Sequence, residues 1–318
     1  MRPPLPARSL AAVALLGSML ALLLVPAACA GARRAPKAMV AAPAVSAPAR
    51  VAVRCDTLPG EAPDQLPVLR SSVALNYTND MLEKPADGTV ELCLLVDSTG
   101  TVREAGVSGR SEPFGLAALE AARWWVFSPA RRAGRALPAR ITVKLEARVP
   151  RDADLLVPDV IALAQDAETR GSMREALDAW TGALTRIGTH PALQNEWVLR
   201  EHIVRLAARL PKPPEVPMLT EAKARGQHQL MLRNVARAAN ADYAHALDEV
   251  LRVAPWYADA YRWRASARAA SGQRDGAVRD VLCYRLAVRD SASLALAQRA
   301  LVALANADTI AAMTMLKN

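Results

Sequence analysis

The stretch DGTVELCLLVDSTG, residues 87–100, decides the fold of the first half of the chain. Apolar side chains recur at every second position, which places them on one face of a half-buried strand. They are Val90, Leu92, Leu94 and Val96. Gly100 offers the positive φ that a tight reversal needs, so residues 101–107 are expected to begin a second strand in hairpin register. The stretch therefore predicts a β-hairpin.

A helix and a third strand follow this hairpin. Pro113 is a suitable opening residue for the helix, and the step Ser128-Pro129 ends it. Its apolar positions recur at helical spacing and are Leu116, Leu119, Ala122 and Val126. Residues 141–149 then alternate between apolar and polar, as a third strand does. The order β-β-α-β predicts an α+β domain whose three-stranded antiparallel sheet is covered on one face and has an exposed edge.

Composition limits the classes of protein to which the whole chain can belong. The chain has 318 residues, of which 52% are hydrophobic and 22% charged, so it is globular and long enough for two domains. Aromatic residues make up only 4%, and alanine and leucine carry the apolar fraction, which favours helices in the rest of the chain. The formal net charge of +9 raises the question of a nucleic-acid partner, which depends on the compartment.

The N-terminus indicates export. Arg2 and Arg8 precede an uncharged run over residues 10–32, and small residues surround Cys29. A cleaved signal peptide is the leading interpretation of residues 1–30. The alternatives are an inner-membrane anchor formed by residues 10–30 and a lipidated Cys29. All three place the remaining chain in the periplasm, so we expect no nucleic-acid partner.

Composition changes divide the chain into four parts. Residues 1–30 are the signal peptide or anchor, and residues 31–64 are an alanine- and proline-rich linker. Residues 65–150 form the β-patterned domain. After a short charged stretch, residues 154–318 form a helical domain.

The cysteines and histidines do not indicate a metal or catalytic site. Cys55, Cys93 and Cys283 show no zinc-ligand spacing, and export makes a Cys55–Cys93 disulfide the hypothesis to test. The histidines have no spacing suited to a metal or a nucleophile; they are His190, His202, His228 and His245. No phosphate-binding loop or nucleophile elbow is present in a convincing context. We expect no cofactor and no enzymatic activity. Buried packing against the sheet is favoured over ligand stacking for Trp124, Trp125 and Phe127.

The second half carries a weak repeat. Small and large residues alternate at helical spacing at Gly171, Met173, Ala176, Trp180 and Ala183, a pattern that resembles a tetratricopeptide repeat. The Gly-to-Ala spacing recurs at Gly272 and Ala277, and the two glycines lie 101 residues apart, close to three periods of about 34. Prolines between residues 211 and 217 interrupt the phase. We expect a degenerate tetratricopeptide-like domain that binds a second protein.

Several motifs of the first domain resemble the C-terminal domain of TonB-type energy transducers. The resemblance runs roughly from Gln65 to Val149 and rests on DGTV at 87–90, VDSTGTV at 96–102, ALEAA at 118–122, WVFSP at 125–129 and Gly134. It implies a periplasmic domain whose last strand pairs with an extended segment of an outer-membrane receptor. The edge residues implied are Ile141, Thr142, Val143, Lys144, Leu145 and Glu146.

The chain also departs from the family pattern. The leader contains no histidine, the linker is short, and a long helical region follows the domain. Three functions stay open. The first is a periplasmic protein that binds a receptor or another envelope protein. The second is a true energy transducer that engages inner-membrane motor proteins, and the third is a structural envelope scaffold whose edge pairs with itself in a homodimer.

Overall fold

The computed structural model describes most of the chain after the linker. The described residues are 55, 62–78, 81, 87–109, 111–149, 156–187, 195–233 and 237–318. They belong to one compact unit, Arg50–Asn318. The predicted leader, nearly all of the linker and the predicted domain boundary at residues 150–154 lie outside the described residues. In the part of the chain that the structure describes, no helix is both long and apolar enough to span a bilayer.

The described residues of the first region include strands and the helix α1 (Gly115–Ala122). The strands of this region are β1 (Val68–Ser71), β2 (Asp87–Val96), β3 (Val102–Ser108), β4 (Val126–Ser128), β5 (Ala130–Arg132), β6 (Arg135–Leu137) and β7 (Ala139–Arg148). The main sheet is antiparallel with the order β3-β2-β7, and small two-stranded sheets pair β1 with β4 and β5 with β6. The small antiparallel sheet predicted from the sequence is confirmed, whereas the four short strands β1, β4, β5 and β6 were not predicted.

The turn between β2 and β3 forms as the sequence predicts. Gly100 has a φ of 78°, and the carboxylate of Asp97 accepts hydrogen bonds from the backbone N–H groups of Thr99 at 2.8 Å and Thr101 at 3.2 Å. The Gly100 carbonyl in turn accepts a hydrogen bond of 2.8 Å from the Phe127 N–H. The turn is therefore tied to β4 as well as to its own hairpin.

The predicted apolar face of α1 is correct in part. Ala122 is buried and Leu119 packs against the sheet core, but Leu116 is exposed and Val126 lies in β4 instead of the helix. The fully buried positions are small residues, namely Gly115, Ala117, Ala118, Ala121 and Ala122. Small side chains allow the helix backbone to approach the sheet closely.

The second region consists of helices. They are α2 (Leu156–Thr169), α3 (Met173–Ile187), α4 (Glu196–Arg209), α5 (Met218–Arg233), α6 (Arg237–Val253), α7 (Ala258–Ala270), α8 (Arg274–Ala287), α9 (Ser291–Ala305) and α10 (Thr309–Lys317). Consecutive helices pack on each other from α2 to α4 and from α5 to α10, and α4 also packs on α8. The described chain is thus a small antiparallel sheet region followed by a helical region.

Three helix pairs share one type of turn. Gly171 between α2 and α3, Gly272 between α7 and α8, and Ala307 between α9 and α10 all have a positive φ. In each turn the following N–H donates to a carbonyl five residues back, as in a Schellman motif. Ala307 lies 35 residues after Gly272, close to one period of about 34. The sequence pattern missed this third turn because alanine replaces the usual glycine. The tetratricopeptide reading remains a prediction.

We predict that alanine at Gly100 is far more damaging than alanine at Gly171. Both glycines have a positive φ, but an added Cβ at Gly171 meets no atom within 4 Å, whereas at Gly100 it clashes with the Phe127 carbonyl oxygen. Urea unfolding should show that Gly171→Ala lowers the free energy of unfolding by about 1 kcal/mol, which is the cost of the left-handed conformation alone. Gly100→Ala should lower the free energy of unfolding by about 3 kcal/mol or more. Equal losses would contradict the contact between this turn and β4.

Candidate functional site

Strand β7 forms one edge of the main sheet. It pairs with β2 along its whole length, from Asp87 opposite Arg148 to Val96 opposite Ala139. No other strand of the described chain pairs with β7. The structure places the six edge residues expected from the sequence, residues 141–146, in the middle of this strand.

The side chains of β7 alternate between the sheet core and the surface. Ile141, Val143 and Leu145 are half-buried and pack on the core beneath the sheet, while the side chains between them are exposed. The exposed positions are Thr142, Lys144 and Glu146. The inner set holds the strand in place. The outer set presents a hydroxyl, an ammonium and a carboxylate beside an edge that has no strand partner in the described chain.

One end of this edge is already occupied. The hydroxyl of Tyr77 donates a hydrogen bond of 2.9 Å to the carbonyl of Arg148, the last residue of β7. Burial raises the pKa of Tyr77 from its ordinary value, so the hydroxyl keeps its proton and its role as a donor. The Arg148 carbonyl at the end of β7 therefore already has a hydrogen-bond donor within the chain.

A disulfide lies on the central strand of the sheet. It joins Cys55 to Cys93, whose Cα atoms are 5.4 Å apart. Cys93 lies in β2 directly opposite Thr142 of β7 and alternates with the core residues Leu92 and Leu94. The bond thus attaches the chain at Cys55 to the sheet face that also carries Thr142.

The two neighbouring tryptophans point to different cores. Trp125 packs in the sheet core, and its indole N–H donates to the carbonyl of Val73 at 3.4 Å. Trp124 packs instead in the core of the helical region, where its ring stacks on Trp197 with 5.8 Å between centroids. The expectation that Trp124 packs against the sheet is therefore wrong. The two residues lie in the turn after α1, where their N–H groups donate to the carbonyls of Ala121 and Ala122, and this turn directs the two rings to different cores.

Polar contacts surround Trp124 at this junction. Its indole N–H donates a hydrogen bond of 3.0 Å to the Glu201 carboxylate, which also pairs with Arg123 and Arg205. Its carbonyl accepts a hydrogen bond of 3.1 Å from the guanidinium of Arg279, a residue that is 9% exposed. The sequence reading missed Glu201 and Arg279, because charged residues in amphipathic helices usually face solvent.

Arg279 reaches a second part of the sheet region as well. Its guanidinium donates to the Ser71 hydroxyl at 2.6 Å and to the Ser72 carbonyl at 3.4 Å. Burial lowers the pKa of Arg279 from its ordinary value, and the carboxylates of Asp275 and Glu196 oppose this effect. One side chain of α8 therefore holds both β1 and the end of α1 against the helices.

Comparison with known proteins identifies the sheet region. Residues 73–146 match the family model described as Gram-negative bacterial TonB protein C-terminal. No curated protein matches the chain. The resemblance to the TonB C-terminal family is thus confirmed for this segment, which contains β2, β3, α1 and most of β7. The helical region, α2 to α10, lies outside the match.

The family match defines the broad class. The segment is a TonB C-terminal domain, which indicates a TonB-like envelope protein of Gram-negative bacteria. Members of this family are binding and transducing proteins and not enzymes. The domain interacts with envelope proteins such as outer-membrane receptors in that family.

We predict that Arg279→Met weakens the whole described unit. The substitution leaves the buried Trp124 carbonyl without its donor, which costs about 1–3 kcal/mol. Urea unfolding followed by tryptophan fluorescence measures the loss. Arg174→Met is the matched control, since Arg174 is exposed on α3 and should change stability by less than about 0.5 kcal/mol. Equal stability of the two variants would show that this contact does not hold the regions together.

A second prediction concerns pH. Burial raises the pKa of Glu120 above its ordinary 4.5, Glu201 and Glu168 add to the rise, and His202 and Arg123 oppose it. A raised folded-state pKa favours folding below pH 4.5 and loses that contribution as the pH rises through the folded value. The free energy of unfolding of Glu120→Gln, measured in urea, should therefore increase relative to that of the native protein as the pH rises from 4 to 7. Asp178→Asn, at an exposed position of α3, serves as the control. A pH-independent difference would contradict the prediction.

Proposed function

We propose that this protein binds an extended segment of an outer-membrane receptor or another envelope protein along the outer edge of β7. The observation that carries the proposal is the position of β7 at the end of the order β3-β2-β7 within a TonB C-terminal domain. Main-chain N–H and C=O groups on such an edge gain hydrogen-bond partners when an extended peptide adds a strand. The protein acts as a binding protein in the periplasm.

The side chains beside the edge set the selectivity. Thr142, Lys144 and Glu146 are exposed at alternate positions, so a bound strand places its own alternate side chains next to them. Lys144 and Glu146 carry opposite charges. A partner with an acidic residue opposite Lys144 and a basic residue opposite Glu146 is favoured over one with the reverse order.

The helical region has a second role in this proposal. Its contacts with Trp124 and through Arg279 hold the sheet region in place. A separate surface of the helical region binds another protein. An exposed apolar segment at the start of α5 supports this contact: Met218 and Leu219 are each 80% exposed. Apolar side chains that are exposed together often mark interaction surfaces.

Crosslinking in intact cells tests the partner. A photo-reactive amino acid at position 142 or 144 should capture a polypeptide that mass spectrometry identifies as an envelope protein. The same group at position 174, on the exposed surface of α3, is the control. Capture of the same polypeptide from all three positions would contradict docking on β7. Capture of a second copy of this chain would favour the homodimeric scaffold.

N-terminal sequencing separates binding from energy transduction. Transduction requires residues 10–30 to remain as an anchor that contacts inner-membrane motor proteins, whereas a soluble binding protein starts after the leader. We expect the mature protein to begin near Gly31. An intact N-terminus would favour the transducer.

We predict opposite effects of proline at Val143 and Lys144. In an antiparallel pair, successive residues direct their N–H groups alternately toward the neighbouring strand and away from it. Proline removes the N–H, so one variant should lose a bond to β2 and stability, and the other should lose partner capture while keeping its stability. Capture in the crosslinking assay and urea unfolding give the two readouts. Full capture by both variants would place docking elsewhere.

A further inference from the structure

The second edge of the main sheet lies in a groove against the helices. Four consecutive residues of β3, Val102–Ala105, line one wall of a groove of about 560 Å³. The other wall is formed by α4, α8 and the end of α1. The residues of this wall are Arg123, Trp124, Glu201, Arg205, Leu282, Arg285 and Leu286. A smaller cavity of about 400 Å³ extends the groove along Thr101 and Gln298.

Strand β3 presents main-chain groups to this groove. Within the described residues, β3 pairs with β2 and with no other strand. Because four successive residues line the wall, the strand edge itself forms it. Paired strands lie about 4.8 Å apart, so a strand added to the outer edge of β3 would lie in this groove.

The charges of the groove are not balanced. The two glutamates are already paired, Glu104 with Arg140 at 2.8 Å, and Glu201 with Arg123 and Arg205. In contrast, Arg103 and Arg285 make no hydrogen bond or ion pair within the described chain.

One acid already lies beside this pair of arginines. Asp97 lines the far end of the groove together with Arg103 and Arg285, and its carboxylate oxygens accept hydrogen bonds from Thr99 and Thr101 in the β2–β3 turn. Within the described chain it accepts no hydrogen bond from either guanidinium, so the N–H donors of Arg103 and Arg285 are available to a second carboxylate. Burial lowers the pKa of Arg285 from its ordinary value; Asp97 opposes this effect, and the neighbouring Arg103 adds to it. The two guanidinium groups carry like charges, and a second carboxylate that accepts hydrogen bonds from both would add to the attraction of Asp97.

We propose that this groove binds an acidic, extended peptide segment of a second protein, which adds a strand to β3 and places a carboxylate against Arg103 and Arg285. The strand edge requires a main chain as its partner, and the two arginines require an anion, so an acidic peptide satisfies both features together. This site is distinct from the edge of β7. Its failure in the experiment below leaves the proposal for β7 untouched.

A labelled peptide tests the site. The probe is a short peptide of alternating valine and glutamate, and fluorescence anisotropy measures its binding to the full mature protein at about 0.15 M salt, where long-range attraction is screened. Arg103→Gln and Arg285→Gln should each weaken binding about tenfold, the loss expected for one charge-assisted hydrogen bond. Arg174→Gln removes the same charge from an exposed site on α3 and should leave binding unchanged.

Two further peptides separate the recognition of charge from the recognition of a strand. A peptide with lysine in place of glutamate should not bind, because it brings positive charge to the arginines. A peptide that keeps the glutamates but has proline in place of valine should bind at least tenfold more weakly, because proline cannot complete the ladder. Equal binding of the proline peptide, or an equal loss with Arg174→Gln, would mean attraction by charge alone and would overturn the proposal.

Hydrogen exchange locates the bound peptide. Amides of residues 102–108 should gain protection when the probe is added, and amides of residues 139–148 should not. Protection at 139–148 in place of 102–108 would overturn the proposal and would instead support docking on β7. Full protection of 102–108 before any peptide is added would show that the chain itself covers this edge, and would also overturn it.

Discussion

The buried guanidinium of Arg279 couples the two regions of this protein. It donates hydrogen bonds to the carbonyl of Trp124 and to the hydroxyl of Ser71, two groups that belong to different parts of the sheet region. A buried charge is tolerated only where hydrogen bonds replace the water it has lost. The position of α8 is therefore fixed relative to the sheet region, and the stacking of Trp124 on Trp197 adds apolar burial to the same junction.

This junction makes the two edges of the sheet different. Strand β2 is paired on both sides, which leaves β3 and β7 as the edges. The junction brings α4 and α8 to β3, so that edge lies in a groove with unpaired arginines. Strand β7 lines none of this groove, and its exposed side chains lie beside an edge that has no strand partner in the described chain. Of the two edges of the sheet, one therefore faces the helices across a groove and the other does not.

Parts of this arrangement follow from local sequence. The alternation in β2, the positive φ of Gly100 and the alternation in β7 depend on neighbours along the chain, and the structure contains all three. The buried face of α1 could be predicted only in part. Helical spacing selected Leu119 and Ala122, which face the core, but also Leu116, which is exposed; alanines fill most of the buried face because that face packs closely on the sheet. Ala307 was missed because alanine, unlike glycine, gives no local signal for a positive φ.

The sequence by itself determined the mixed strand and helix character of the first region and the helical character of the second half. Periodicity carries this information because each side chain is directed by the local backbone. Only the tertiary structure decided that Trp124 leaves the sheet core, that Glu201 and Arg279 are buried around it, and that Arg103 meets Arg285 across a groove. These contacts join residues far apart in the chain, so burial and charge at each position depend on partners that no local pattern encodes.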